Sequence, residues 1–288
     1  MPVCLKGYEL GAPPRKRRRR RRGRAVSVEE LDAGDAQAAA AAPLDDGQGA
    51  AAAAIQWAHG EMGVAEAQAT RVVRVPRALS PKQVRQVLEV HGRLRGVCGV
   101  SNKKHGGGAQ NWCTCFLHTD GIFSHALPKL RQKILDVAAA ADEAQGWGLL
   151  SGAPSPPTIR CVELHTVGPG GALPQRKHFD TGSLITVDIL LSPTSEFEGG
   201  TLTTLETDGT MLPQPFECGE ARVFVSHKFH CVLPVTAGQR QVLIAEVWAG
   251  RERTCAHRCE HHDGVCPVSL ALSRHGTIPV NCRSHQSY

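Results

Sequence analysis

The stretch from Thr158 to Trp248 restricts the fold most, because it divides into short runs of strand-forming residues. The runs alternate apolar and polar residues or are rich in β-branched ones, and turns containing Gly or Pro separate them. They are TIRCVELH, LITVDILLS, TLTTLE, ARVFVSH, HCVLPV and QVLIAEVW. Strands that follow helices, rather than alternating with them, predict an α+β chain with a mainly β core, built as a sandwich or barrel. Regular secondary structure is expected to end near Trp248.

The region before these strands is predicted to supply flanking N-terminal helices. The run RVVRV suggests one preceding strand. A helix should begin where Ser80 is the N-cap, Pro81 takes the first helical position and Gln83 closes a capping box. A second helix is expected from about Ser124 to Ala141, and composition predicts a loop over residues 99–111.

Residues 1–70 are predicted to be a low-complexity, disordered arm. The 288-residue chain has a formal charge of +6, but nine basic residues lie between Arg15 and Arg24, so the remainder carries −3. The basic run is either a nuclear localisation signal or anionic-surface contact, or a solvated arm without a specific partner. We therefore expect a nuclear or cytoplasmic protein. An organellar transit peptide is an alternative, although the acidic residues between Glu29 and Asp35 count against it.

The sequence predicts neither a secretory signal nor a membrane partner. The first fourteen residues lack the apolar segment of a signal peptide. No apolar stretch reaches the roughly 18 residues that a spanning helix needs. The mildly acidic body and the 5% aromatic content disfavour a nucleic-acid partner.

The segment KHFDTGS carries the first candidate metal ligands. His178 and Asp180 are two residues apart, so on an extended segment both side chains project from the same face. A second imidazole from elsewhere would complete a facial triad of two histidines and one carboxylate. Such a triad leaves adjacent positions open and suits non-haem Fe(II) in oxygenases.

The residues that follow supply a third ligand and a resemblance. His230 lies 52 residues after His178, is followed by Pro234-Val235, and precedes Arg240 by ten; Glu198-Gly199-Gly200-Thr201 stands between the two histidines. This pattern resembles the prolyl 4-hydroxylase-like Fe(II)/2-oxoglutarate-dependent dioxygenases. The resemblance spans about Thr158 to Trp248.

The resemblance implies a double-stranded β-helix, or jelly roll, and a set of roles for the matching residues. His178, Asp180 and His230 would bind Fe(II), and Arg240 would pair with the distal carboxylate of 2-oxoglutarate. The reaction implied uses O2, converts 2-oxoglutarate to succinate and hydroxylates a C–H bond, with L-ascorbate as the expected reductant. A protein or peptide substrate, such as a peptidyl proline, is favoured. The alternatives are a nucleic acid, a small molecule, or a jelly roll that only binds.

Three positions differ from the family motif or compete for a role in it. The family usually has lysine where Arg240 stands, and a guanidinium keeps the charge. His165 occupies the place of a family tyrosine that contacts 2-oxoglutarate, so it either shares that contact or is a core residue. His227 competes with His230 as distal ligand. On a strand the two would point to opposite faces, and the Pro-Val register favours His230.

The last residues are rich in Cys and His. They include Cys255, Cys259, Cys266 and Cys282, with His257, His261 and His262 nearby. A structural zinc site, two disulfides and free thiols all stay open for this tail. The expected division of the chain is an arm at 1–70, a helical support region at 71–157, the dioxygenase core at 158–250 and the tail at 251–288.

Overall fold

The computed structural model describes residues 62, 64–94, 98–102, 111–153, 155–259, 261 and 264–274. The predicted basic run and most of the arm lie outside these residues. The helices are α1 Val64–Ala69, α2 Pro81–Leu94, α3 Ile122–Ala126, α4 Pro128–Gln145 and α5 Pro267–Arg274. Each helix of the described ranges is too short or too polar to cross a lipid bilayer.

The described residues contain thirteen strands. They are β1 Val73–Val75, β2 Gly99–Asn102, β3 Trp112–Phe116, β4 Thr158–Val167, β5 Leu173–His178, β6 Ile185–Leu190, β7 Phe197–Gly199, β8 Leu202–Leu205, β9 Met211–Pro213, β10 Ala221–Val225, β11 His230–Val232, β12 Val235–Gly238 and β13 Arg240–Trp248. The main sheet has the order β1-β10-β6-β13-β4-β3-β2, and a second sheet has the order β5-β11-β8-β9. β12 and β7 form a separate two-stranded ribbon.

The strand order is that of a jelly roll. Passing from β4 to β13, the chain moves back and forth between the two sheets, with β4, β6, β10 and β13 in the main sheet and β5, β8, β9 and β11 in the second. The pairs within both sheets are antiparallel. An apolar cluster with members from both sheets, including Trp112, Phe224 and Leu202, lies between them. The predicted double-stranded β-helix is confirmed.

The helices α2 and α4 pack against the outer face of the main sheet, as predicted. The apolar side of α4, including Ile134 and Val137, packs with Ile185, Val187 and Leu243 of the sheet in the largest apolar cluster. At the start of α2, Ser80 N donates to Gln83 Oε1 at 2.9 Å and Gln83 N donates to Ser80 Oγ at 3.3 Å. These reciprocal bonds are the predicted capping box.

The helix predicted from Ser124 to Ala141 is in fact two helices. α3 ends at Ala126 and α4 begins at Pro128, with Leu127 between them at φ −128° and ψ 51°. A proline ring pushes the preceding residue out of the helical region, so Pro128 starts a new helix instead of continuing the old one. α4 then ends at Gly146, whose φ of 64° favours glycine.

Three further expectations need correction. Gly99 to Asn102 form the strand β2 rather than a loop, and β1, β2 and β3 all belong to the main sheet, although they precede residue 158. Order also begins before residue 71, because α1 docks on the core with Gln68 Nε2 donating to His227 O at 2.8 Å. Finally, α5 lies beyond Trp248, where regular structure was expected to end.

The seating of α4 on the main sheet can be tested at Ile134, which is 1% exposed. Replacing Ile134 with Ala is expected to lower the free energy of unfolding by roughly 2–5 kcal/mol, because it removes buried methyl groups and leaves a cavity. Denaturant unfolding measures the change. The matched control is Lys129→Ala on the exposed side of α4, which should cost less than about 0.5 kcal/mol.

Candidate metal centre

His178, Asp180 and His230 converge at one end of the second sheet. His178 ends β5 and His230 begins β11, and the antiparallel register places these two residues directly opposite each other. His178 Nε2 lies 3.5 Å and His230 Nε2 lies 3.9 Å from Asp180 Oδ1. The two imidazole rings are nearly perpendicular, at 86°. The structure therefore brings together all three ligands expected from the sequence, with one donor atom from each within 4.8 Å of the others.

Asp180 is held through its backbone N–H and through both oxygens of its carboxylate. Its backbone N–H donates to Ser226 O at 2.8 Å, and its Oδ2 accepts from Thr186 Oγ1 at 2.7 Å. Oδ1 faces the two histidines and also accepts from Arg258 Nη2 at 2.9 Å. Burial alone would raise the pKa of Asp180, but the charges of His230, Arg258 and His178 outweigh it and hold the pKa well below its ordinary value. The group is thus a carboxylate, the form that binds a cation.

The His230 ring is held with one nitrogen turned toward Asp180. Its Nδ1 lies 3.0 Å from Lys228 O, and a carbonyl can only accept, so Nδ1 donates. In the neutral ring, Nε2 then carries the lone pair that a metal needs. The ring also packs on Phe224, with centroids 5.1 Å apart.

His227, the competing ligand, is not part of this group. It lies in the turn after β10, and its ring packs against Phe179 with centroids 5.1 Å apart. Burial lowers the pKa of His227 to about 4. The choice of His230 over His227 agrees with the geometry, although His227 is in a turn and not on the strand that the sequence suggested.

A cavity that opens to solvent extends from the three ligands between the two sheets. Arg240, the first residue of β13, lines it and is 2% exposed. The guanidinium lies over the Phe216 ring, 5.7 Å from its centroid. Arg240 Nη2 is buried and has no hydrogen-bond partner among the described residues. A buried cationic N–H without a partner is costly, so this position favours an anionic ligand.

The Gly199-Gly200 pair makes room for this arrangement. A Cβ on Gly200 would lie 2.8 Å from Arg240 Cδ and 2.9 Å from a Val235 methyl, and one on Gly199 would lie 2.3 Å from Pro234 O. Both glycines have positive φ, at 73° and 66°. The Glu-Gly-Gly-Thr turn of the sequence therefore lets the Arg240 side chain pass close to the backbone.

His165 also reaches the wall of the cavity. Its Nε2 lies 2.8 Å from Glu163 Oε2, and its ring lies 5.2 Å from that of Trp112. Glu163 and His165 are two residues apart on β4 and so project from the same face. The structure thus gives His165 a carboxylate partner within the protein as well as a place in the cavity wall.

Two functional candidates escaped the sequence analysis. Arg258, from the tail, donates from Nη2 to Asp180 Oδ1 at 2.9 Å and forms an ion pair with Glu246. Asp188, on β6, lines the same cavity as Arg240. The only signal for Asp188 was an acid inside the apolar run LITVDILLS. Nothing in the order of residues linked Arg258 to Asp180, which is 78 positions away.

Comparisons with known proteins add the following. No protein-family model and no curated protein matches the chain. It is similar to an oxidoreductase of the 2OG-Fe(II) oxygenase family from Burkholderia pseudomallei, with 15% identity, 70% of this chain and 98% of that one covered, and a TM-score of 0.47.

Two further solved structures resemble the chain. A prolyl-4-hydroxylase from Pseudomonas putida has 17% identity, 63% and 92% coverage of the two chains and a TM-score of 0.45. The non-heme alpha ketoglutarate dependent epimerase SnoN from nogalamycin biosynthesis has 17% identity, 64% and 80% coverage and a TM-score of 0.47. At these values the likenesses assign no activity to this chain.

Asp188 makes the stability of the protein depend on pH. Burial, with a further contribution from Asp180, raises its pKa from 3.8 to about 7, against the opposing charges of Arg240 and Arg222. Between pH 3.8 and about pH 7, the Asp188 carboxyl group is ionised in the unfolded chain but keeps its proton in the folded protein. The stability contributed at low pH is therefore lost as the pH rises from about 4 to about 7, by at most about 4 kcal/mol.

The variant Asp188→Asn removes this titration. We expect its melting temperature, relative to the wild type, to rise steadily between pH 4 and pH 7 and then to level off. Thermal unfolding across the pH range measures the difference. Asp136→Asn, an exposed change on α4, is the control and should show no such trend. A difference that is independent of pH would contradict the titration of Asp188.

Proposed function

We propose that this protein is an Fe(II)- and 2-oxoglutarate-dependent dioxygenase that hydroxylates a C–H bond and converts 2-oxoglutarate to succinate and CO2. One observation carries the proposal: a group of two imidazoles and one carboxylate opens into the same cavity as the buried, unpartnered Nη2 of Arg240. A metal ligand set and an anion-binding guanidinium are the two parts that a keto-acid co-substrate needs.

The ligand set fits Fe(II). Two neutral imidazoles and a carboxylate on one side of an ion leave the opposite positions open for other ligands. His178, Asp180 and His230 would hold the ion, and bound there it supplies the redox chemistry with O2. Asp180 is held as a carboxylate, and the bond from Nδ1 to Lys228 O means that the His230 ring, once neutral, presents Nε2 to the cation. Little rearrangement is therefore needed to bind the cation.

Arg240 would hold the distal carboxylate of 2-oxoglutarate. A guanidinium forms two parallel hydrogen bonds with a carboxylate and so fixes its orientation as well as its position. The Phe216 ring lies against the guanidinium, and Gly200 leaves space beside its side chain. Asp188 contributes negative charge near Arg240, and its raised pKa lets it become neutral when a second carboxylate arrives.

The substrate that we propose is a peptidyl proline or another protein side chain, with L-ascorbate as reductant. The support is the sequence resemblance around His178, His230 and Arg240, together with a cavity that is open at its mouth. The acidic charge of the chain outside the basic run weighs against a nucleic acid.

The chemistry can be tested without knowing the substrate. Protein loaded anaerobically with Fe(II) and then given O2, 2-oxoglutarate and ascorbate should form succinate slowly, and Asp180→Ala should reduce this to the background of iron-free protein. Asp136→Ala, on the exposed side of α4, should retain the wild-type rate. Wild-type protein that neither forms succinate nor binds Fe(II) would refute the proposed activity.

The substrate class is tested in the same assay. A pool of Pro-rich peptides should increase succinate formation, and a peptide should gain the mass of one oxygen atom. Stimulation by single-stranded nucleic acid or by small molecules, with none by peptides, would replace the proposed substrate while leaving the chemistry in place.

Arg240 is expected to act mainly in binding the co-substrate. Arg240→Gln should raise the KM for 2-oxoglutarate by roughly 10- to 150-fold, since it removes a charge-assisted pair worth roughly 1.5–3 kcal/mol, with a smaller effect on kcat. Arg240→Lys should recover part of this loss, because it keeps the charge but not the two parallel bonds. The exposed Arg251→Gln is the control. An unchanged KM in Arg240→Gln would show that the carboxylate binds elsewhere.

A further inference from the structure

The tail brings four metal-binding side chains together, away from the candidate iron ligands. One ligand atom each from Cys255, His257, Cys259 and Cys266 lies within 4.8 Å of every other. Cys266 Sγ is 3.5 Å from His257 Nε2. In a tetrahedral zinc site with Zn–S bonds of about 2.3 Å, neighbouring ligand atoms are about 3.8 Å apart. The four side chains are therefore close to the spacing that zinc imposes.

The composition of the group favours zinc over a disulfide. Cys255, Cys259 and Cys266 all carry free thiols in the structure. One disulfide could join only two of these three sulfurs and would leave the third beside His257 without use. Three thiolates and one imidazole form a closed Cys3His set, which is a common structural zinc site. This soft donor set also differs from the oxygen- and nitrogen-bearing set around Asp180.

The segment that carries the cluster has little support of its own. Between Trp248 and Pro267 the described residues contain no helix or strand. Cys259 and Cys266 are nevertheless only 1% and 3% exposed. A metal that cross-links such a segment supplies the stability that regular secondary structure and a core would otherwise provide.

The core holds the backbone of the cluster at defined points. Asp120 N donates to Thr254 O at 2.9 Å, and Arg160 Nη1 donates to Cys259 O at 3.0 Å. His118 bonds to His257 O through Nε2 at 3.1 Å, while its Nδ1 accepts from Val162 N at 3.1 Å. These partners fix the carbonyl groups beside the ligands, as outer partners do in established metal sites.

A single residue, Arg258, connects the cluster with the candidate iron ligands. Arg258 stands between the two ligands His257 and Cys259, so both of its neighbours would be bound to the metal. From this position its Nη2 reaches Asp180 Oδ1 at 2.9 Å and also pairs with Glu246. Any change in the backbone of the cluster would therefore move the guanidinium that contacts Asp180.

We propose that Cys255, His257, Cys259 and Cys266 bind a structural zinc ion, and that this site positions Arg258 against Asp180. The zinc site is independent of the proposed activity. The role of Arg258 is that of a positioning residue and rests on the proposed function, since it concerns an Fe(II) ligand. Arg258 and Thr186 together fix the orientation of the Asp180 carboxylate.

The zinc site is tested by metal analysis of the full chain purified without chelator. We expect about one equivalent of zinc per chain, retained in Asp180→Ala and lost in Cys259→Ser and Cys266→Ser. Cys218→Ser, an exposed thiol elsewhere, and Cys282→Ser, in the tail beyond the described residues, are the matched controls and should keep the zinc. Loss of zinc in Asp180→Ala would assign the zinc to the other centre and overturn the proposal.

Two measurements on the wild type cover the case in which the serine variants fail to fold. Replacing zinc with Co(II) should give the intense thiolate-to-metal absorption of a tetrahedral sulfur-rich site. Peptide mapping after alkylation under denaturing, non-reducing conditions should find Cys255, Cys259 and Cys266 all modified. A disulfide between any two of them, or a wild type free of zinc, would refute the site.

The positioning role is tested by Fe(II) binding in anaerobic equilibrium dialysis. Arg258→Gln should keep its zinc and bind Fe(II) about 10-fold more weakly, the usual effect of losing an outer partner of a ligand. Loss of the positive charge alone would strengthen the binding of a cation, so weaker Fe(II) binding reports the loss of positioning of Asp180. Wild-type protein from which zinc has been removed should bind Fe(II) more weakly to a similar degree. Removing zinc from the Arg258→Gln variant should weaken its Fe(II) binding little further. Additive effects would refute the coupling, whatever the succinate assay shows.

Discussion

The buried carboxylate of Asp180 is the interaction on which the rest of the site depends. An ionised carboxylate that is 4% exposed is stable only if several cationic or hydrogen-bonding groups surround it. Thr186 holds one oxygen, and Arg258 and the two histidines face the other. These partners come from β5, β6, β11 and the tail, so the site forms only when both sheets and the tail are assembled. The fold and the metal centre are in this sense one structure.

Two guanidiniums line the cavity, and their environments assign them different tasks. The terminal nitrogen of Arg258 is engaged by Asp180 and Glu246, which leaves it to position those groups. Arg240 has a buried terminal nitrogen without a partner among the described residues, and the aromatic ring of Phe216 lies beside it. An incoming carboxylate is therefore bound more favourably at Arg240, where it does not have to displace a protein acid.

Features determined by neighbouring residues could be predicted from the sequence. The capping box of Ser80 and Gln83, the strands of the core and the same-face placement of His178 and Asp180 all depend on spacings of a few residues. The pairing of His178 with His230 came from a longer motif, and the structure places the two residues directly opposite each other. The break at Leu127 was also encoded locally, by Pro128, but the apolar stripe that continues across it concealed the break.

Contacts between distant segments could not be predicted from the sequence where the local residue pattern does not indicate a helix, a strand or a motif. β2 and β3 are short and flank a stretch rich in Gly, and they become strands because β4 offers a free edge for β3 to pair with. Arg258 has no spacing relation to Asp180, since its position depends on how the tail folds back over β4 and β13.

The tail makes that return through the carbonyl groups of Thr254, His257 and Cys259, each held by a residue of the core. A segment without helix or strand can hold a guanidinium against a buried carboxylate only if something restrains it. The Cys and His residues on either side of Arg258 are placed to be that restraint.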